Sequence, residues 1–72
     1  MRRAILEALR ARYEAEIAEA DATANIYLEN SVGIGEHPQH IEEVNKQIEK
    51  IANAKENIDV LDEFEPEKGT QL

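Results

Sequence analysis

Four side chains that could bind a metal ion lie close together in the middle of the sequence: Glu36, His37, His40 and Glu43. His40 and Glu43 are one helical turn apart, a spacing typical of the Glu-x-x-His pairs of carboxylate-bridged helical bundles. Those bundles take ligands from several helices, whereas the preceding segment offers only Glu29 and Asn30 at this end. The pattern therefore favours a solvated helix start, and we predict no metal site and no bound cofactor.

Two neighbouring features could also suggest chemistry. Gly33 and Gly35 precede a helix start, whose free N–H groups can bind phosphate. However, no strand comes before them, no Gly-Lys-Ser or Gly-Lys-Thr follows, and Glu36 places a negative charge where the phosphate would sit. Ser31 is the single serine, and its spacing to the two histidines matches no nucleophile and base arrangement. We therefore predict that the protein is not an enzyme.

Two amphipathic segments must position these residues. The first predicted helix, 3–29, carries large side chains at steps of three and four residues, and the second, 38–62, follows a heptad. Pro38 suits a first helical position, because its missing N–H would have no intrahelical partner there. Between Ile51 and Ile58, the inward position falls to Ala54 or Lys55. The predicted seam between the helices consists of Leu6, Leu9, Tyr13, Ile17, Tyr27, Ile41, Val44, Ile48, Ile51, Ile58 and Leu61.

The two stripes predict an all-α fold, an antiparallel two-helix hairpin of the coiled-coil kind. A loop at 30–37 joins the helices, and an acidic, flexible tail follows at 63–72. In an antiparallel pair the numbers of facing residues add to a constant. One constant fits Tyr27 with Ile41, Ala24 with Val44, Ala20 with Ile48, Ile17 with Ile51, and Tyr13 with Lys55. The same register predicts that Arg3 and Arg10 lie near Asp59, Asp62 and Glu65.

Composition narrows the classes of function. The chain has 72 residues, no cysteine and a net charge of −8, so it forms at most one small domain without disulfides. Residues 1–12 carry a net +3 and residues 13–72 a net −11, which makes nucleic acid a poor partner and a basic protein surface an easier one. No apolar run reaches the roughly 18 residues of a membrane span. We therefore expect a cytoplasmic protein without nucleic-acid or membrane partners.

Self-association is the expected source of further stability, because two helices cannot enclose a seam and the sequence supplies neither a disulfide nor a metal. Helix one carries a row of small side chains opposite its large stripe, extended by Ile26. This alanine row is either a solvated face of good helix formers or a contact that lets a second copy approach closely. We predict a homodimer with four helices, in which the partner meets either this row or the large-residue seam. The alanine row consists of Ala4, Ala8, Ala11, Ala15, Ala18 and Ala22.

The loop sequence Val-Gly-Ile-Gly-Glu-His-Pro, at residues 32–38, is the most distinctive part of the chain. Together with the helical sequence on either side, over residues 13–61, it resembles small uncharacterised proteins encoded by marine tailed phages, including cyanophages. The resemblance implies a phage accessory protein that acts in the cytoplasm of a bacterial host. It implies no activity and no functional residues.

The expected function is a non-enzymatic protein–protein interaction module that binds a host or phage protein. One alternative is a structural or assembly component of the virion. Another is an acidic decoy that occupies the basic surface of a nucleic-acid-binding protein. A metal-binding bundle is a further alternative.

Overall fold

The structure is a computed structural model that describes residues 1–30 and 38–65. It contains two helices, α1 (Arg2–Asn30) and α2 (Pro38–Asp62), which pack against each other as an antiparallel hairpin. The predicted all-α hairpin is therefore confirmed, and each helix boundary lies within one residue of the predicted one. Of the predicted loop, Asn30 belongs to α1 and residues 31–37 lie outside the described residues.

Residue composition and local hydrogen bonds are compatible with the helical structure of α1. Alanine, leucine, glutamate and arginine dominate α1, and all of them are good helix formers. Its polar exceptions bond back to their own helix: Thr23 Oγ1 donates to the carbonyl of Glu19 and Asn25 Nδ2 donates to that of Asp21, each at 2.9 Å. These two polar side chains are therefore compatible with helical structure.

The chain tightens as it leaves α2. The amide of Glu63 donates to the carbonyl of Val60 at 3.0 Å, and that of Phe64 donates to the carbonyl of Leu61 at 2.9 Å. Such three-residue spacing is typical of the end of a helix. Residues 63–65 thus form a turn that is hydrogen-bonded to the end of α2, and they are the first residues of the predicted tail, 63–72. The rest of that tail, residues 66–72, lies outside the described residues.

Small side chains dominate the hairpin core. Among the described residues, the buried apolar ones are Ala20, Ala24, Ala54 and Leu61. Alanine at facing positions allows two helices to approach closely, but each alanine contributes little apolar area. The buried polar residue is Gln47, with 6% of its surface exposed. The core is consequently narrow and poor in large side chains.

The seam of α2 differs from the predicted one near the closed end of the hairpin. The prediction that Ile41 and Ile48 lie in the seam is wrong, because they are 73% and 55% exposed. His40 and Gln47 turn inward in their place, and Ala54 continues the row in preference to Lys55. The His40 ring packs edge-on against Tyr27, with centroids 5.6 Å apart.

The other predicted seam residues are buried or half-buried between the two helices. Leu61 is buried. The half-buried members are Leu6, Leu9, Tyr13, Ile17, Tyr27, Val44, Ile51 and Ile58.

The difference follows from the need of a helix to keep one heptad phase. α2 offers two rows that lie on opposite sides of Val44, Ile51 and Ile58. They are the seam row (His40, Gln47, Ala54, Leu61) and the outer row (Ile41, Ile48, Lys55, Asp62). Each row holds two apolar residues and two polar ones, but only the outer row carries an ammonium and a carboxylate. Burying those charges costs far more than burying an amide and an imidazole. The outer row therefore turns away from the centre of the seam, where Asp62 is half-buried in its contact with Arg10. The two isoleucines of the same row are left exposed.

Candidate interaction surface

A cluster of charged groups ties the start of α1 to the end of α2 at the open end of the hairpin. Arg10 Nη2 donates hydrogen bonds to Asp62 Oδ1 and, at 3.2 Å, to Glu65 Oε1. The hydrogen bond to Asp62 is the main cause that raises the pKa of Arg10, against a smaller lowering by burial. Arg2 also donates to the backbone carbonyl of Phe64. The predicted proximity of Arg10 to Asp62 and Glu65 is confirmed. These contacts join the two helices at the open end, and we call the three residues the clasp.

The residues with metal-binding chemistry fall into two groups. Glu36 and His37 lie outside the described residues. Glu43 forms an ion pair with Lys46 at 3.5 Å, and His40 is half-buried against Tyr27 with its Nδ1 in the interior. Across residues 1–30 and 38–65, no three His, Asp or Glu side chains come together in a way that could hold a metal ion.

The six members of the alanine row are all exposed. Ile26, which extends the row, is 58% exposed. Exposure leaves the row available for a contact but does not distinguish it from a solvated face, because alanine is also the best helix former. The alanine row as a contact stays a prediction.

Three large apolar side chains are exposed toward the closed end of the hairpin. Leu28, Ile41 and Ile48 are 56%, 73% and 55% exposed, and we call them the apolar patch. The contact between Arg10 and Asp62 marks one side of the hairpin, and the patch residues can be located relative to it. Leu28 comes five whole helical turns after Arg10, and the two isoleucines share a heptad position with Asp62. The three side chains therefore lie on the side of the hairpin that carries the clasp.

The other side of the hairpin carries a shallow apolar groove at the open end. Its volume is about 350 Å³, and Val60 and Phe64 at its edge are 46% and 52% exposed. Most of the other groove residues already pack in the seam. The groove is lined by Leu6, Leu9, Tyr13, Asn57, Val60, Leu61 and Phe64.

The sequence predicted neither the patch nor the groove as a surface. The spacing of Ile41 and Ile48 predicts that both lie in the seam, and Leu28 falls outside the large stripe of α1. The feature of the sequence that could predict the patch is the pair of charged residues later in the outer row, Lys55 and Asp62. Their charges disfavour burial of that row in the seam.

Within the described parts of the chain, neither helix combines the length and the apolar character that a membrane crossing requires. Comparisons with protein-family models, with curated proteins and with solved structures gave no match.

Proposed function

We propose that this protein is a non-enzymatic helical interaction module whose working unit is a homodimer. The observation that carries the proposal is the imbalance between a core of three alanines and one leucine and a set of large apolar side chains left in solvent. Among the described residues, those exposed side chains are Met1, Ile5, Ile26, Leu28, Ile41, Ile48, Val60 and Phe64. Such side chains are favourable on a soluble chain when another protein surface covers them.

We also propose that the dimer binds a further protein, in a bacterial host if the likeness to marine phage proteins reflects common origin. The net charge of −8 favours a partner with a basic surface. Abundance of the protein in purified phage particles would favour the alternative of a virion component. Salt-sensitive capture of a nucleic-acid-binding protein would favour the acidic decoy.

The experiment that tests self-association is sedimentation equilibrium combined with thermal melts over a range of protein concentrations. We expect twice the monomer mass at about 100 µM, and a melting temperature that rises with concentration because dissociation and unfolding are linked. A monomer at that concentration, with a melting temperature independent of concentration, would contradict the proposal.

A further inference from the structure

We propose that the apolar patch is the docking surface for an amphipathic helix of another protein, one whose apolar face is flanked by lysine or arginine side chains. The patch is Leu28, Ile41 and Ile48. The inference rests on the part of the proposed function in which a further protein with a basic surface is bound. It places the contact between copies of the proposed homodimer outside the patch.

The patch combines exposure with the spacing of a helix-binding surface. Leu28, Ile41 and Ile48 are 56%, 73% and 55% exposed. Ile41 and Ile48 lie one heptad apart on α2, which is two helical turns or roughly 10 Å. The apolar side chains of an amphipathic helix recur at spacings of three, four and seven residues. A third helix lying along the hairpin can therefore place one apolar side chain beside each isoleucine.

The contact between Tyr27 and His40 shows how the two helices face each other near the patch. Their ring centroids are 5.6 Å apart in the seam. Leu28 and Ile41 each follow one of these residues by one position, so they emerge side by side, one from each helix. The patch therefore spans the seam, and a docked helix would contact both α1 and α2.

The charged group beside the patch is negative. Asp21 is exposed and, one heptad before Leu28 on α1, lies across the seam from Ile48. Lys46 and Lys50 are each two positions away from Ile48, which turns them to the opposite face of α2. Neither lysine therefore lies beside the patch.

The sequence extends this acidic character over the closed end of the hairpin. From residue 13 to residue 45 it contains no lysine and no arginine. The first basic group on the patch side is Lys55, one heptad beyond Ile48 toward the open end. A partner with lysine or arginine beside its apolar side chains is therefore complementary to this surface in charge as well as in hydrophobicity. The acidic residues between 13 and 45 are Glu14, Glu16, Glu19, Asp21, Glu29, Glu36, Glu42 and Glu43.

Other occupants fit the patch less well. A second copy, related by a two-fold axis along the hairpin, would bring Asp21 of each copy onto Ile48 of the other, and Glu7 onto Asp62. An apolar side chain and a carboxylate would then lose water together, and two carboxylates would repel each other. Nucleic acids and anionic lipids carry phosphates of the same sign as the closed end. A basic amphipathic helix meets none of these penalties.

The test uses a designed helical peptide of about 20 residues, with leucines along one face and lysines on both flanks of that face. Fluorescence anisotropy of the labelled peptide measures its Kd for the full chain. We expect saturable binding in the micromolar range that weakens as salt rises from about 50 to 500 mM. A peptide of the same composition, with its leucines spread around the helix, should bind at least about tenfold more weakly. Equal binding of the two peptides, or no saturable binding at about 100 µM protein, would overturn the inference.

Matched substitutions in the protein locate the bound peptide. Ile48→Gln and Ile26→Gln remove the same apolar side chain at nearly equal exposure, 55% and 58%, from different faces of the hairpin. Ile48→Gln should weaken binding by about tenfold or more, and Ile26→Gln by less than about twofold. Asp21→Asn and Glu19→Gln remove one exposed carboxylate each from opposite faces of α1. In low salt, Asp21→Asn should weaken binding by about threefold and Glu19→Gln by less.

Sedimentation equilibrium and peptide binding report on the homodimer and on the patch separately. A dimeric wild type that binds no peptide keeps the homodimer and removes the inference. A monomeric wild type whose binding is weakened selectively by Ile48→Gln keeps the inference and removes the homodimer. Binding that is weakened equally by Ile48→Gln and Ile26→Gln, or by neither, overturns the patch as the docking surface. Far-UV circular dichroism checks that all variants remain helical.

Discussion

At the scale of single residues, Arg10 illustrates how one charged side chain serves the fold. Its side chain extends from α1 toward the end of α2, where Asp62 and Glu65 accept its hydrogen bonds. Every arginine keeps its charge through the neutral pH range, and the hydrogen bond to Asp62 raises the pKa of Arg10 further. The clasp therefore does not weaken through Arg10 as pH rises through that range. Its strength depends instead on salt, since the group is partly exposed.

Replacing Arg10 by glutamine should lower the melting temperature at low ionic strength, because two carboxylates lose their shared cation. The difference from wild type should shrink in about 0.5 M salt, where charges at the surface are screened. Arg12→Gln is the control, since Arg12 is exposed and only two positions away. Thermal melts at both salt concentrations make the comparison. A salt-independent loss, or an equal loss in Arg12→Gln, would mean that the clasp does not act through charge.

At the scale of elements, close packing of α1 and α2 depends on alanines in the seam. Ala54 has no exposed surface, and Ala20 and Ala24 on the facing helix are 2% and 8% exposed. Small side chains at these positions set a short distance between the helix axes. The large half-buried side chains then pack along the edges of the contact between the helices, and the alanines occupy its centre.

Enlarging Ala54 to leucine should destabilise the hairpin by about 1–3 kcal/mol, because the added atoms force the helices apart. Ala52→Leu adds the same atoms at an exposed position of the same helix and should change stability by less than about 0.5 kcal/mol. Urea unfolding followed by circular dichroism measures both. Equal effects of the two substitutions would show that the helices are not in close contact at Ala54.

The sequence predicts the elements well and their rotation less well. Helical periodicity, Pro38 and the glycines between the stripes were sufficient to locate both helices to within one residue. The rotation of α2 about its axis is more difficult to predict. Val44 and Ile51 lie in the seam whether the row of His40 and Gln47 or the row of Ile41 and Ile48 is buried beside them. Hydrophobicity near the closed end favours Ile41 and Ile48, whereas Lys55 and Asp62 decide against them at the far end. Local hydrophobicity could not show this, since the deciding charges lie one and two heptads away.

At the scale of the whole molecule, the hairpin combines exposed large apolar side chains, a small core and a net charge of −8. Charge of one sign keeps copies apart at long range, whereas exposed apolar side chains would hold the proposed dimer together at short range. Association should therefore tighten as added salt screens the repulsion, within the range where the protein stays folded. Sedimentation equilibrium of the wild type at about 20 and 200 mM salt measures this, and a clear weakening with salt would show that charge pairs, and not apolar contacts, dominate the dimer.

The central claim is that the working unit of the protein is a homodimer, and one measurement tests it most directly. Sedimentation equilibrium of the wild type, at concentrations up to about 100 µM, should show twice the monomer mass at the upper end, together with a melting temperature that rises with concentration. A wild type that stays monomeric over this range, with a melting temperature independent of concentration, would contradict the account.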